Sequence, residues 1–204
     1  MQFSTSPAYD RLLTADRNFH VAFLVVGGLF TLLLLLFSVF SWVQFKRARR
    51  RTFQRRSYFS FGAASVTLGL LMAVVIWGNV TSVVNPRQTL SGTTLSRVGE
   101  TWLQAGRAQI SPLLQHAIDE RLAWQRPKAV ICSVLLAVFV TLTVFLWRTL
   151  IRQSTTGEPF RKLSRRLMLG AGVLSAVSCL LLMLMVIGNT EGAFAPLFLT
   201  VLYG

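Results

Sequence analysis

The sequence predicts an all-α integral membrane protein: four transmembrane helices as two tandem hairpins, with an amphipathic helical outer loop. Three observations predict it. Four uncharged apolar runs have the length a bilayer core demands, about 20 residues for roughly 30 Å of hydrocarbon. The basic residues crowd into two short connecting segments. Charged residues make up only 14% of the 204 positions, against about 25% in an ordinary soluble domain. With 53% hydrophobic residues, too little polar surface remains to cover a soluble core.

Residues 1–20 are expected to form an outer N-terminal segment, in which Asp10 and Asp16 balance Arg11 and Arg17. The first hairpin, 21–79, opens with 25 uncharged residues from Val21 to Phe45, among them "LVVGGLFTLLLLLFSVFSW". That run is too long for a signal peptide, and no basic region precedes it. A loop over 46–57 then carries Lys46, Arg47, Arg49, Arg50, Arg51, Arg55 and Arg56 with no acid. The second span lies at about 58–79, inside an uncharged run from Ser57 to Pro86.

The outer loop, 80–128, is too long for a plain connection. Pro86 and Gly92 make its start irregular. Helical spacing then returns: Leu95, Val98, Trp102 and Ala105 predict a helix over about 94–108. Ser111 and Pro112 are a cap and first-turn signal for a second helix, about 112–124. There Leu114, Ala117, Ile118 and Leu122 share one face, opposite Gln115, Asp119 and Glu120. These faces are expected to lie on the bundle, on the membrane surface or on a partner, which makes Trp102, Leu114, Ile118 and Leu122 a candidate partner-facing or membrane-facing surface. The pair Pro127-Lys128 is expected to turn the chain back into the membrane.

The second hairpin, 129–190, repeats the plan. Spans at about 129–147 and 167–190 flank a loop, 148–166, with six bases against the single acid Glu158. The tail, 191–204, is apolar but too short to span again.

Charge sets the direction. Short basic loops stay cytoplasmic, so both termini and the central loop are expected outside the cell membrane. The net charge of +14 therefore reads as topogenic, with the basic loops lying on anionic lipid headgroups rather than on nucleic acid. Aromatic neighbours of the first loop, Trp42, Phe45, Phe53 and Tyr58, fit the interfacial belt.

The two hairpins read alike. Trp42 and Trp147 stand 105 apart, Phe53 and Phe160 107 apart, and Gly78-Asn79 and Gly188-Asn189 110 apart, which suggests a duplication. Small residues recur at close spacing in the second and fourth spans: Gly62, Ser65 and Gly69, then Ala171, Ser175 and Cys179. They are candidate helix-packing positions, because small side chains let backbones approach.

Candidate chemistry is sparse. No Asp, Glu, Lys, Arg or His lies within the core of a span, whereas intramembrane catalysis or transport usually announces itself with one. No catalytic, metal or cofactor motif is present, and the two cysteines, Cys132 and Cys179, fall inside apolar runs. His20, His116, Asp119, Glu120 and Glu191 read as scattered interfacial polar groups. Asn79 and Asn189 are the candidate structural or ligand pair on the outer face. The expectation is a non-catalytic accessory or scaffold subunit of a larger membrane complex, partnered by other membrane subunits or by copies of itself. The alternative is a small oligomeric transporter or channel built from the duplicated hairpins.

Overall fold

A computed structural model describes residues 6–49, 52–90, 93–156 and 162–203. Among the described residues there are seven helices and no strand. They are α1 (Pro7–Arg47), α2 (Phe53–Val84), α3 (Pro86–Leu90), α4 (Arg97–Ala105), α5 (Pro112–Thr156), α6 (Lys162–Phe194) and α7 (Pro196–Tyr203). Four of these, α1, α2, α5 and α6, are long and apolar enough to cross a membrane. Arg50, Arg51, Glu158, Phe160 and Arg161 of the two basic loops lie outside the described residues.

The chain divides into two compact units. A terminal unit comprises Met1–Gly28, Val74–Val130 and Val186–Gly204, and a span unit comprises Leu29–Ala73 and Ile131–Met185.

The terminal unit has its own apolar core. Pro7 opens α1 where its missing N–H is not needed, and the Tyr9 N–H donates to Ser6 Oγ at 3.2 Å. Ala8, Leu12 and Ala15 then recur at helical spacing and pack with Leu90 of α3, Trp102 and Leu103 of α4, and Leu114 and Ile118 of α5. Leu197, Phe198 and Val201 of α7 complete the cluster. Ser96 caps α4, its Oγ accepting from the Gly99 N–H at 3.2 Å. Gly106 ends that helix in the left-handed conformation, φ 67°, which glycine adopts without a Cβ clash. Trp102 is held at both ends, buried in the core and donating its Nε1–H to Gln109 O at 3.0 Å.

In the span unit, Trp42 and Trp147 each lie over a glycine. A Cβ on Gly62 would stand 3.1 Å from Trp42 Nε1, and one on Gly172 would stand 3.2 Å from Trp147 Nε1. Trp147 also donates to Gly172 O at 3.3 Å. Beyond it Thr143 and Ser175 share a 2.6 Å hydrogen bond, and Ser175 donates to Phe139 O at 3.2 Å. Phe61 meets Trp147 edge-on at 4.6 Å.

Several elements differ from what the sequence predicts. The N-terminal segment is part of α1 from Pro7 onward, and α2 runs on to Val84 before Pro86 opens α3. Pro127 does not turn the chain; it lies inside α5. A proline costs an isolated helix about 3 kcal/mol through one lost hydrogen bond. The Pro127 ring is exposed between Arg126 and Lys128, and the one lost bond is outweighed by the helix on either side, held by the buried Leu114 and Ile118 before it and continuing through the apolar run after it. The face of Trp102, Leu114, Ile118 and Leu122 packs against the chain's own core. Leu114 is fully buried and Ile118 5% exposed, worth about 1.5–3 kcal/mol each. The apolar tail is likewise folded in, as α7, with Leu197, Phe198, Thr200 and Val201 buried.

Candidate functional site

The polar residues that come together do so in the terminal unit, around His20. Asp16 and His20 are four apart on α1, so one turn stacks them on the same face. His20 Nε2 lies 3.3 Å from Asp16 Oδ1, and the carboxylate is fully buried. The other ring nitrogen, Nδ1, is 2.7 Å from Asn79 Oδ1. Asn79 donates its amide N–H to Val75 O at 2.9 Å, which fixes the oxygen towards the ring. Both ring nitrogens thus face acceptors. A neutral imidazole carries one N–H only, so this arrangement is satisfied by the doubly protonated, cationic ring.

Glu191 of α6 adds a second carboxylate, 8% exposed and close enough for its charge to act on His20. Its Oε1 has no hydrogen bond, nor has either oxygen of Asp16, whose contact with His20 is an ion pair rather than an aligned hydrogen bond. Gln125 of α5 presses on Gly192 so closely that a Cβ there would overlap its carboxamide. Phe19 closes the ring edge-on at 5.3 Å, and Phe198 of α7 lies 6.2 Å away. Among the described residues no three His, Cys, Asp or Glu side chains are grouped to hold a metal ion.

This arrangement stores charge more readily than it moves protons to a substrate. An acid–histidine pair acts as a general base only when the far ring nitrogen can reach a reacting group. Here Asn79 occupies that nitrogen. Asp16 faces the ring as its counter-ion, and the Asn79 amide carries the interaction to the backbone of α2. Breaking such a pair on one side leaves a buried charge, at about 3–5 kcal/mol.

The residues singled out from the sequence are distributed as follows. Asn79 belongs to the site; Asn189 is half-buried on α6, two positions before Glu191. His20 and Glu191 are not scattered but gathered. His116 is elsewhere, in an exposed pair with Glu120 at 3.4 Å, while Asp119 accepts from Gln115 at 3.0 Å. Of the small residues, Gly62, Ser65, Gly69 and Ser175 are buried, Cys179 is half-buried 3.6 Å from Thr143, and Ala171 is exposed. Its neighbour Gly172 takes the buried place beneath Trp147.

Sequence reasoning missed Asp16, Gln125 and Gly192. For Asp16 a signal existed. Had the helical spacing of Ala8, Leu12 and Ala15 been followed through the N-terminal segment, Asp16 would have fallen beside that face. No protein-family model, curated protein or solved structure matches this chain.

Proposed function

We propose that the chain is a non-catalytic four-span protein of the cell membrane, an accessory or scaffold subunit that docks a larger membrane complex. Both termini and the central loop face outward, and the two basic loops lie cytoplasmic on anionic headgroups. The observation that carries this reading is the contrast between the polar and apolar surfaces. Asp16 and Glu191 of the terminal unit turn inward beside His20, and both nitrogens of its ring already face acceptors. The long helices do the opposite: Leu29, Leu36, Leu70, Val138 and Leu174 are all more than half exposed. Apolar surface on that scale is normal only against lipid or against other membrane helices.

The tandem-hairpin arrangement is part of the proposal. It is supported by Trp42 over Gly62 and Trp147 over Gly172, the same knob on the same kind of hole.

Purification in a mild detergent, followed by mass determination of the intact assembly, tests the reading. A stoichiometric second polypeptide is expected. A symmetric assembly of this chain alone would favour the oligomeric transporter or channel, and a monodisperse single chain would remove both.

A further inference from the structure

His20 and Glu191 each lie just outside an apolar run, before Val21 and after Thr190. Neither neutral form of the His20 ring fits where it stands. With the proton on Nδ1, the bare Nε2 lone pair faces Asp16 Oδ1, 3.3 Å away. With the proton on Nε2, the Nδ1 lone pair meets Asn79 Oδ1 at 2.7 Å, and the bond from Asn79 to Val75 O keeps that oxygen in place. Only the doubly protonated ring presents an N–H on both sides. Glu191 favours a proton for a different reason. Its Oε1 is buried without a hydrogen bond, so the charged form is the costly one. Charge reaches the ring from Asp16 on its own helix and from Glu191 of α6. The other neighbours are uncharged: Asn79 of α2, Phe198 of α7 and, at Gly192, Gln125 of α5. All these residues belong to the terminal unit.

We propose that this cluster is a proton-held latch of the terminal unit: a doubly protonated His20 ties α1 to α2, a protonated Glu191 closes α6 beside them, and a rise in pH that removes these protons loosens the unit. Burial alone would favour the neutral ring. The contacts with Asp16 and Asn79 and the charges of Asp16 and Glu191 outweigh it, so the His20 pKa lies above its ordinary 6.5. Burial pushes the Glu191 carboxyl from 4.5 up to about 7, against the opposing charge of His20. Both groups therefore bind their proton more tightly in the folded unit than in the unfolded chain. The stability they contribute is complete below those ordinary values and shrinks as pH climbs from them through the folded ones. For Glu191 alone, the opening constant of the unit should rise about tenfold between pH 6 and pH 8. His20 adds to this in the same direction. The latch requires neither the accessory role nor a partner.

Hydrogen exchange read by mass spectrometry on the detergent-solubilised protein tests it, expressed as protection factors so that the intrinsic pH dependence of exchange cancels. Amides of residues 7–20 and 196–203 should lose about tenfold or more in protection between pH 6 and pH 8, and those of residues 131–150 should not. Equal protection at the two pH values would overturn the latch. Glu191→Gln should shrink the loss, and Glu191→Gln with His20→Phe should abolish it. A full loss persisting in that double variant would place the titrating groups elsewhere and overturn the assignment. His116→Gln, which removes the exposed histidine, should leave the profile unchanged. Exchange at the C2–H of the His20 ring, followed on the wild-type protein, reports the ring's own titration and needs no variant to fold. Its midpoint should lie above 6.5; a midpoint at or below that value would overturn the doubly protonated ring.

Discussion

Replacing Gly99 by alanine should loosen the terminal unit from the crossing of α4 and α7 outward. A Cβ at this position would stand 2.5 Å from Val201 O and 2.8 Å from both Val201 Cα and Cγ1. Two of those three atoms are backbone, so no rotamer change relieves the overlap, and α4 has to move off α7. Overpacking of this kind costs about 1–3 kcal/mol. Alanine returns about 1 kcal/mol through its better helix propensity. The movement also strains two hydrogen bonds at the same junction, Ser96 N–H to Val201 O at 2.9 Å and Ser96 Oγ to Thr200 O at 3.0 Å. At about 1 kcal/mol each, their loss brings the net cost to roughly 3 kcal/mol, a factor of about 100 in the local opening constant. Hydrogen exchange read by mass spectrometry on the detergent-solubilised protein measures this directly. Amides of α4 and α7 should lose about 100-fold in protection. Gly188→Ala is the control, since nothing lies within 4 Å of a Cβ there; it should change exchange by no more than a few-fold. Unchanged protection in Gly99→Ala, or equal loosening by Gly188→Ala, would refute the packing argument.

Four further outcomes are expected. Gly62→Ala and Gly172→Ala, each placing a Cβ against a tryptophan, should cost similar amounts, about 1–3 kcal/mol; thermal unfolding that separates them by more than that range would count against equivalent hairpins. Ile118→Asp puts a carboxylate into the core at a position 5% exposed, at a cost of several kcal/mol, and should open residues 97–124 to limited proteolysis. Asp16→Leu and His20→Phe should each destabilise the terminal unit, whereas the two combined should be close to neutral; additive losses in that double-mutant cycle would mean the two groups act independently. A cysteine at Arg49, exposed within the first basic loop, should resist an impermeant thiol reagent in intact cells and react after permeabilisation, the reverse pattern inverting the orientation.

The spans were legible because a bilayer imposes a length and forbids charge, two constraints that leave a trace in any sequence. Helix continuity was harder to read. A charge-free run ends where its first charged residue falls, but the backbone hydrogen bonds of α1 continue past Val21 back to Pro7, since helical geometry is indifferent to side-chain polarity. Pro127 reads as a turn by its effect on an isolated helix; here α5 is held on the near side by the buried Leu114 and Ile118 and runs on through the apolar residues beyond Lys128, so one lost bond does not break it. The amphipathic face of Leu114 and Ile118 was visible from spacing, but its covering was not. Ala8 and Leu12 lie about a hundred positions earlier and Val201 some eighty later, and no periodicity links segments that far apart. His20 and Asn79 were each conspicuous as polar residues at a span's end, yet the bond between them joins positions 59 apart. Asp16 was masked by Arg17, which made the segment look like balanced surface charge.

The Gly-Asn pairs carry a related lesson about what a short repeated motif reports. A Cβ at Gly78 or at Gly188 would meet nothing within 4 Å, so neither glycine is there to admit a neighbour. The functional half of the first pair is Asn79, which orients the His20 ring, and that role depends on a histidine in α1. At the position 105 later, where the Trp42 to Trp147 offset carries His20, the sequence has Gln125. Gln125 instead lies against Gly192, beside Glu191. If the hairpins descend from one ancestor, their span halves have kept the shared packing of tryptophan on glycine, while the equivalent His20 and Gln125 positions have diverged around one polar cluster. Exchanging the two, His20→Gln with Gln125→His, separates the possibilities. A symmetric origin of the cluster predicts partial retention of stability, because a histidine at 125 would approach Glu191. A cluster that owes nothing to the repeat predicts the loss of both interactions, a destabilisation no smaller than that of His20→Gln alone.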